Sequence, residues 1–232
     1  MNKILFQWMR SSFLDCDNYT TLHIFLANTY NSLFRPSLIF SLLMNRPILT
    51  GVIMAGGKSS RMGMDKGAIL LNNKHLVQYS IDALRPLCSE LMISTHNEWY
   101  AQFGYPLVKD IITDCGPMGG IYSALLKAET QYILALACDM PFVNIQILEK
   151  LTNNLQEYDC VVPRIGNKYE PLCAIYSKAL IPTMEQRIKT ANYALHDLIM
   201  ESNHHLVDFE NDTAAFMNLN TMNDLDDSKR LM

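Results

Sequence analysis

The chain has 232 residues, 49% hydrophobic and 18% charged, with a formal net charge of -4. That length suits one sizeable α/β domain, and the composition is that of an ordinary globular protein. With no excess of positive charge, the chain lacks the footprint of a nucleic-acid binder, and any anionic ligand has to be held by a local arrangement of residues.

The first 46 residues, MNKILFQWMR through SLLMNR, are rich in Leu, Phe and Asn and keep no helical or strand period. Apolar runs such as LIFSLLM are too short to span a bilayer. The start is similar to a targeting sequence, but Asp15 and Asp17 interrupt it and no small-residue cleavage site stands out. Residues 1–46 are therefore read as an N-terminal appendage, disordered or a misassigned start, with Met44 just ahead of the first strand.

From Pro47 the pattern alternates. PILTGVIMA is a buried strand closed by Gly56-Gly57. HLVQYSIDALRPL has helical spacing until Pro86 stops it. ELMISTH is a second strand and PLVKD a short third; GPMGGIYSALLKA turns and becomes a helix. QYILALACD is almost unbroken apolar sequence, as in parallel strands buried on both faces, and NIQILEKLTNNL follows as a helix. DCVVPRIG, YEPLCAIYS and HLVDF read as strands, SKALIPTMEQRI and ALHDLIM as helices. TMNDLDDSKRLM closes as a helix, with Thr221 and Asp224 at capping-box spacing. Strands alternating with helices over short connections predict an α/β fold: an open, mostly parallel sheet with helices on both faces, three layers in all.

The six cysteines, at 16, 88, 115, 138, 160 and 173, form no Cys-x-x-Cys pair. Zinc-knuckle and thioredoxin-type chemistry are excluded, and several of these thiols sit in apolar runs as small buried hydrophobes. A reducing, cytoplasmic setting is expected.

The loop GGKSSRMGMDK follows the first strand, where ligands of open α/β sheets bind. Glycines let backbone approach a ligand, successive free N–H groups can cradle an anion, and Arg61 and Lys66 would neutralise a polyphosphate. It is not a P-loop: Gly57-Lys58-Ser59 matches the end of that motif, but Val52 stands at its first glycine. The Gly-x-Gly-x-x-Gly dinucleotide pattern is also absent.

The complete string resembles the nucleotide-binding signature of the small nucleotidyltransferases, L-A-G-G-x-S-x-R-M-G-x-D-K, with Met54 in place of the usual leucine. CDMPFV is similar to that superfamily's C-D-x-P segment, and KDIITDCGPMGGIYSAL to its D…G-P-x-x-G-I-x-x-A-L element. FMNLNTMNDL resembles the late F-x-N-x-N-T-P-x-D-L element of the molybdenum cofactor guanylyltransferases, the MobA type, with Met222 where proline is common. The resemblance covers about residues 48–225 and implies one Rossmann-like nucleotidyltransferase domain over residues 47–232.

What it implies for chemistry is transfer of GMP from GTP to the molybdopterin phosphate with release of pyrophosphate. Asp139 would be catalytic and the Mg²⁺ ligand, while Lys66 and Arg61 would meet the triphosphate. Met54, Ala55, Gly56 and Gly57 would lie against the nucleotide, as would Asp110. The family's asparagine after the second strand falls near Ser94 or Asn97, and Asn97 is the candidate retained. Asn218 and Asn220 would face the pterin or its phosphate, although turn and cap roles suit asparagine equally. Partners implied are GTP and molybdopterin, with transient contact to other cofactor-biosynthesis or molybdoenzyme-maturation proteins. A monomer or weak oligomer is implied, with no membrane or nucleic acid. A molybdopterin cytidylyltransferase, or a nucleotidyltransferase for a sugar or polyol phosphate, shares the loop and the aspartate. A non-catalytic nucleotide-binding protein is the alternative from another class.

Overall fold

The structure, a computed structural model, describes residues 47–56, 65–219 and 224. The chain begins with β1 (Leu49–Met54), whose six residues are all buried. Alternate side chains of a strand point to opposite faces. Leu49 and Ile53 accordingly enter one core with Val77, Ile81, Ile147 and Leu151, while Val52 and Met54 enter a second with Met118, Ile121, Met184 and Leu198. Two cores, one per face, are why the β1 sequence shows no polar alternation. Burying a Leu or Ile side chain this fully contributes about 1.5–3 kcal/mol.

A hairpin follows, β2 (Leu70–Leu71) and β3 (Lys74–His75), then α1 (Leu76–Leu84). The hairpin is absent from the sequence reading, because two-residue strands carry no period. Its turn residues Asn72 and Asn73 both have left-handed φ, 50° and 60°, as a tight two-residue connection demands. Gln78 accepts from the His75 backbone N–H at 3.1 Å and closes the start of α1.

Next come β4 (Glu90–Ser94), a 3-10 segment over Glu98–Phe103, and β5 (Leu107–Val108). α2 (Pro117–Lys127), β6 (Tyr132–Ala137) and α3 (Ile145–Asn153) complete the first half. The second half holds β7 (Cys160–Ile165), β8 (Lys168–Tyr169), β9 (Cys173–Ser177), α4 (Ile181–Lys189), α5 (Leu195–Glu201) and β10 (His204–Asp208). The strand expected over YEPLCAIYS is divided into β8 and β9, and Pro171, with no N–H to give a ladder, lies in the break. The expected closing helix lies outside the described residues except for Asp224, which is helical.

The large sheet has the order β10-β7-β9-β6-β1-β4-β5, with β8 on β7. β5, β4, β1 and β6 are parallel neighbours, and β10 is parallel to β7. β9 is inserted antiparallel to both β6 and β7. The open, mostly parallel sheet expected from the sequence is the one observed. α1 and α3 share one core on one face, and α2, α4 and α5 the other.

The five described cysteines, Cys88, Cys115, Cys138, Cys160 and Cys173, are buried free thiols. Burial pushes the Cys160 thiol up to about 11, and Cys88, Cys138 and Cys173 higher still, so they pack as apolar groups. Among the described residues no helix is long and apolar enough to cross a membrane.

Candidate functional site

β1 leads outward to β4 and β5 on one side, and α2 carries the chain back to β6 on the other side of β1. Strand order therefore reverses between β1 and β6, and the crevice at their carboxyl ends is where ligands bind in such sheets. The backbone there is tightly committed. The Cys138 N–H donates to the Met54 carbonyl at 3.1 Å, and the Ala55 N–H to the Ser94 carbonyl at 3.0 Å. The Thr95 hydroxyl donates to the Ala55 carbonyl at 3.2 Å. The Ala55 N–H is thus occupied by the protein, while the Met54 and Ala55 carbonyls each retain a second lone pair. Gly56 is exposed at the rim. Gly57 and Arg61 lie outside the described residues.

Asp139 leaves the end of β6 in a turn closed by the Met140 N–H on the Ala137 carbonyl, 3.3 Å. It is not needed as a helix cap: α3 is capped by Asn144, whose side chain accepts from the Ile147 N–H at 3.1 Å. Its Oδ2 accepts from Lys66 Nζ at 2.8 Å, with side-chain exposures of 14% and 29%. The two residues are 73 positions apart, so the fold, not local sequence, brings this pair to the crevice. Its backbone carbonyl accepts from the Leu219 N–H at 2.9 Å, which draws the late segment beside it. Leu219 and Met217 pack with Ile69, Leu71, Leu76 and Phe142, so the hairpin is the seat for that segment. Asn218, half-buried, lies between these two anchors; Asn220 falls outside the described residues.

Lys66 opens a 3-10 turn, Lys66–Ala68, capped by Asp65 through the Gly67 N–H at 3.1 Å. Asp65 also accepts from Asn97 Nδ2 at 2.9 Å and from the Tyr100 hydroxyl. Asn97 also accepts at Oδ1 from the Trp99 N–H at 3.0 Å, and its exposed amide keeps one N–H and one lone pair beyond these two bonds. Asp65 and Tyr100 had no assigned role in the sequence. Asp65 stood inside the signature string, but Tyr100 sits in an aromatic run with nothing to distinguish it from core.

Asp110 follows β5 and lies against the first turn of α2, within ordinary contact range of Gly119 and Gly120. A Cβ on either would come 3.4 Å from Asp110 Oδ2 or 3.6 Å from Oδ1. His96 Nε2 is 3.8 Å from Oδ2. Burial pushes the Asp110 carboxyl up, and the neighbouring His96 opposes the shift. An acid raised in the folded state binds its proton more tightly there, so this group favours folding at low pH. That contribution is lost as pH rises above about 4 through the folded value. Asp110→Asn, which cannot ionise, should then have a higher urea midpoint than the parent at pH 7, with the gap closing at pH 3.5. Equal midpoints at pH 7 would show that the carboxylate carries no burial cost.

Among the described residues no group of three or more His, Cys, Asp or Glu could hold a metal by itself. A hard cation shared with phosphates needs fewer protein ligands, often one or two carboxylates. Asp139 meets that demand: Oδ2 is bound to Lys66, and Oδ1 has no hydrogen-bond partner among the described residues.

Comparison with known proteins bears on the family and the fold. Residues 51–206 match the model of the MobA-like NTP transferase domain. The chain is 36% identical over 188 residues to the molybdenum cofactor guanylyltransferase of Vibrio vulnificus, covering 78% of this chain and 96% of that one. It is 32% identical over 181 residues to a Flavobacterium johnsoniae protein named "Probable molybdenum cofactor guanylyltransferase", covering 77% and 95%. The fold is shared with a crystal structure of molybdopterin-guanine dinucleotide biosynthesis protein A from Archaeoglobus fulgidus, with a TM-score of 0.65 at 21% identity over 79% of this chain and 98% of that one. With the signature loop, the switch-point crevice and the match over most of its length, the chain belongs to the MobA-like NTP transferase family.

Proposed function

We propose that the protein transfers GMP from GTP to the terminal phosphate of molybdopterin, making the guanine dinucleotide form of the cofactor. A phosphate oxygen of the acceptor attacks the α-phosphorus of GTP. The bond from that phosphorus to the oxygen bridging to the β-phosphate breaks, and pyrophosphate leaves with the electron pair. The observation that carries this reading is the Lys66–Asp139 pair at the β1/β6 switch point. Base and acceptor follow the names of the relatives.

The protein's part is positioning and charge. Lys66 is assigned to the phosphates, exchanging its bond to Asp139 for them as the nucleotide enters. Asp139, freed from the ammonium, would hold Mg²⁺, which when bound neutralises phosphate charge. Asp110 at the start of α2 is assigned to the nucleoside, and Asn218, tied to Asp139 through Leu219, to the acceptor side. Residues 47–232 are read as one catalytic unit working in the cytoplasm, where the buried thiols stay reduced.

Purified protein is to be mixed with Mg²⁺, a molybdopterin-bearing acceptor, and GTP or CTP, and pyrophosphate release measured. Release with GTP that needs the acceptor is the expected result. Release with CTP alone moves the protein to the cytidylyl branch, and silence with both removes the molybdopterin reading.

A further inference from the structure

Asp65 is held by three donors from two parts of the chain: the Gly67 N–H at 3.1 Å, and, from one 3-10 turn, Asn97 Nδ2 at 2.9 Å and the Tyr100 hydroxyl. Tyr100 is wholly buried, 35 positions away, yet its hydroxyl reaches a carboxylate at the edge of the crevice. Its ring is wedged edge-on to Trp99, with centroids 5.1 Å apart, and tilted on Phe103 at 6.4 Å. Gly67 makes room for it: a Cβ there would collide with the hydroxyl and sit 2.8 and 2.9 Å from the ring carbons Cε1 and Cζ. Burial pushes the Tyr100 hydroxyl well above its ordinary range, so it stays a donor at neutral pH.

The residue between Asp65 and Gly67 is Lys66. A carboxylate next to that ammonium, left unheld, would compete with Asp139 and with incoming phosphate for it. With three donors on its oxygens, Asp65 is instead turned into the body of the protein, and the turn it caps carries Lys66 to Asp139. We propose that Tyr100 is a positioning residue: through Asp65 it fixes the Lys66 turn so that the ammonium faces the crevice rather than its neighbour's carboxylate. Neither Tyr100 nor Asp65 touches the reacting atoms.

This rests on the phosphate role of Lys66, and the test separates the two. Wild type, Tyr100→Phe, Lys66→Ala and the double variant, all full-length, are titrated with GTP and Mg²⁺ by calorimetry, with melting temperatures recorded. Losing a hydrogen bond to a charged group should raise the Tyr100→Phe Kd about tenfold. Lys66→Ala should raise it at least as much, and the double variant no further than Lys66→Ala alone. A merely structural tyrosine would give additive losses, which would overturn the proposal, as would an unchanged Kd in Tyr100→Phe. If Lys66→Ala binds GTP as wild type does, the phosphate role falls and the proposal with it. If Lys66→Ala weakens binding and Tyr100→Phe does not, only the proposal falls. Asp65→Ala, which removes the oxygen that accepts from the Tyr100 hydroxyl, repeats the cycle without altering the core should Tyr100→Phe fold poorly.

Discussion

Asp139→Asn is expected to lower kcat about a thousandfold or more while the protein stays folded. The exchange keeps the shape of the side chain and removes its charge. Removing a single preorganised electrostatic group commonly costs about 100–1000-fold, and here both the ammonium's partner and the proposed cation ligand are lost together. The fold has little reason to respond. The Lys66–Asp139 bond spans two partly exposed side chains, and pairs of that kind are worth about 0–1 kcal/mol. The contact that draws in Leu219 uses the backbone carbonyl, which the substitution leaves in place. The cap of α3 belongs to Asn144. Pyrophosphate release at saturating GTP, set beside a thermal melt, separates the two outcomes. Activity within about tenfold of wild type would withdraw Asp139 from the chemistry.

Which parts of this molecule a reader of the sequence can find follows from where the information lies. β1 and β6 are legible because burial on both faces leaves a nearly continuous apolar run, interrupted in β1 only by Thr50 and ended by Gly56 and by Asp139. The direction of β9 is not, since a strand's period is the same whichever way it runs, and its antiparallel insertion between β6 and β7 depends on distant partners. Lys66 and Asp139 stand out as members of motifs, but their pairing across 73 positions does not. Tyr100 is hidden more completely. Its ring belongs to an aromatic core cluster, its hydroxyl to the crevice, and sequence shows only the first. Asn97 drew notice as a candidate nucleotide contact, and the structure adds a second task, since each end of its amide also bonds the protein. Its amide helps hold Asp65, the residue the motif contained and left without a task.

Gly67→Ala brings these strands together and should do more damage than its single methyl suggests. Alanine would ordinarily gain about 0.5–1 kcal/mol over glycine in a helical turn. Here the new Cβ would be driven into the phenol of Tyr100, whose ring Trp99 and Phe103 prevent from retreating. Overpacking of that kind costs about 1–3 kcal/mol, and the larger figure applies because the obstruction is a rigid buried ring rather than the end of a flexible chain. The urea midpoint should fall accordingly. The catalytic effect should be greater: Lys66 is covalently next to the displaced residue, and a shift of about 1 Å in a group that aligns substrate can cost about a hundredfold in rate. Gly166→Ala supplies the contrast. Gly166, unlike Gly67, has a positive φ, 56°, but nothing lies within 4 Å of an added Cβ, and it sits in the turn between β7 and β8. That variant should lose about 1 kcal/mol to backbone strain and keep its kinetics. If Gly67→Ala instead retains both stability and kcat/KM, the ring has somewhere to go, and Tyr100 cannot be what holds the lysine turn in place.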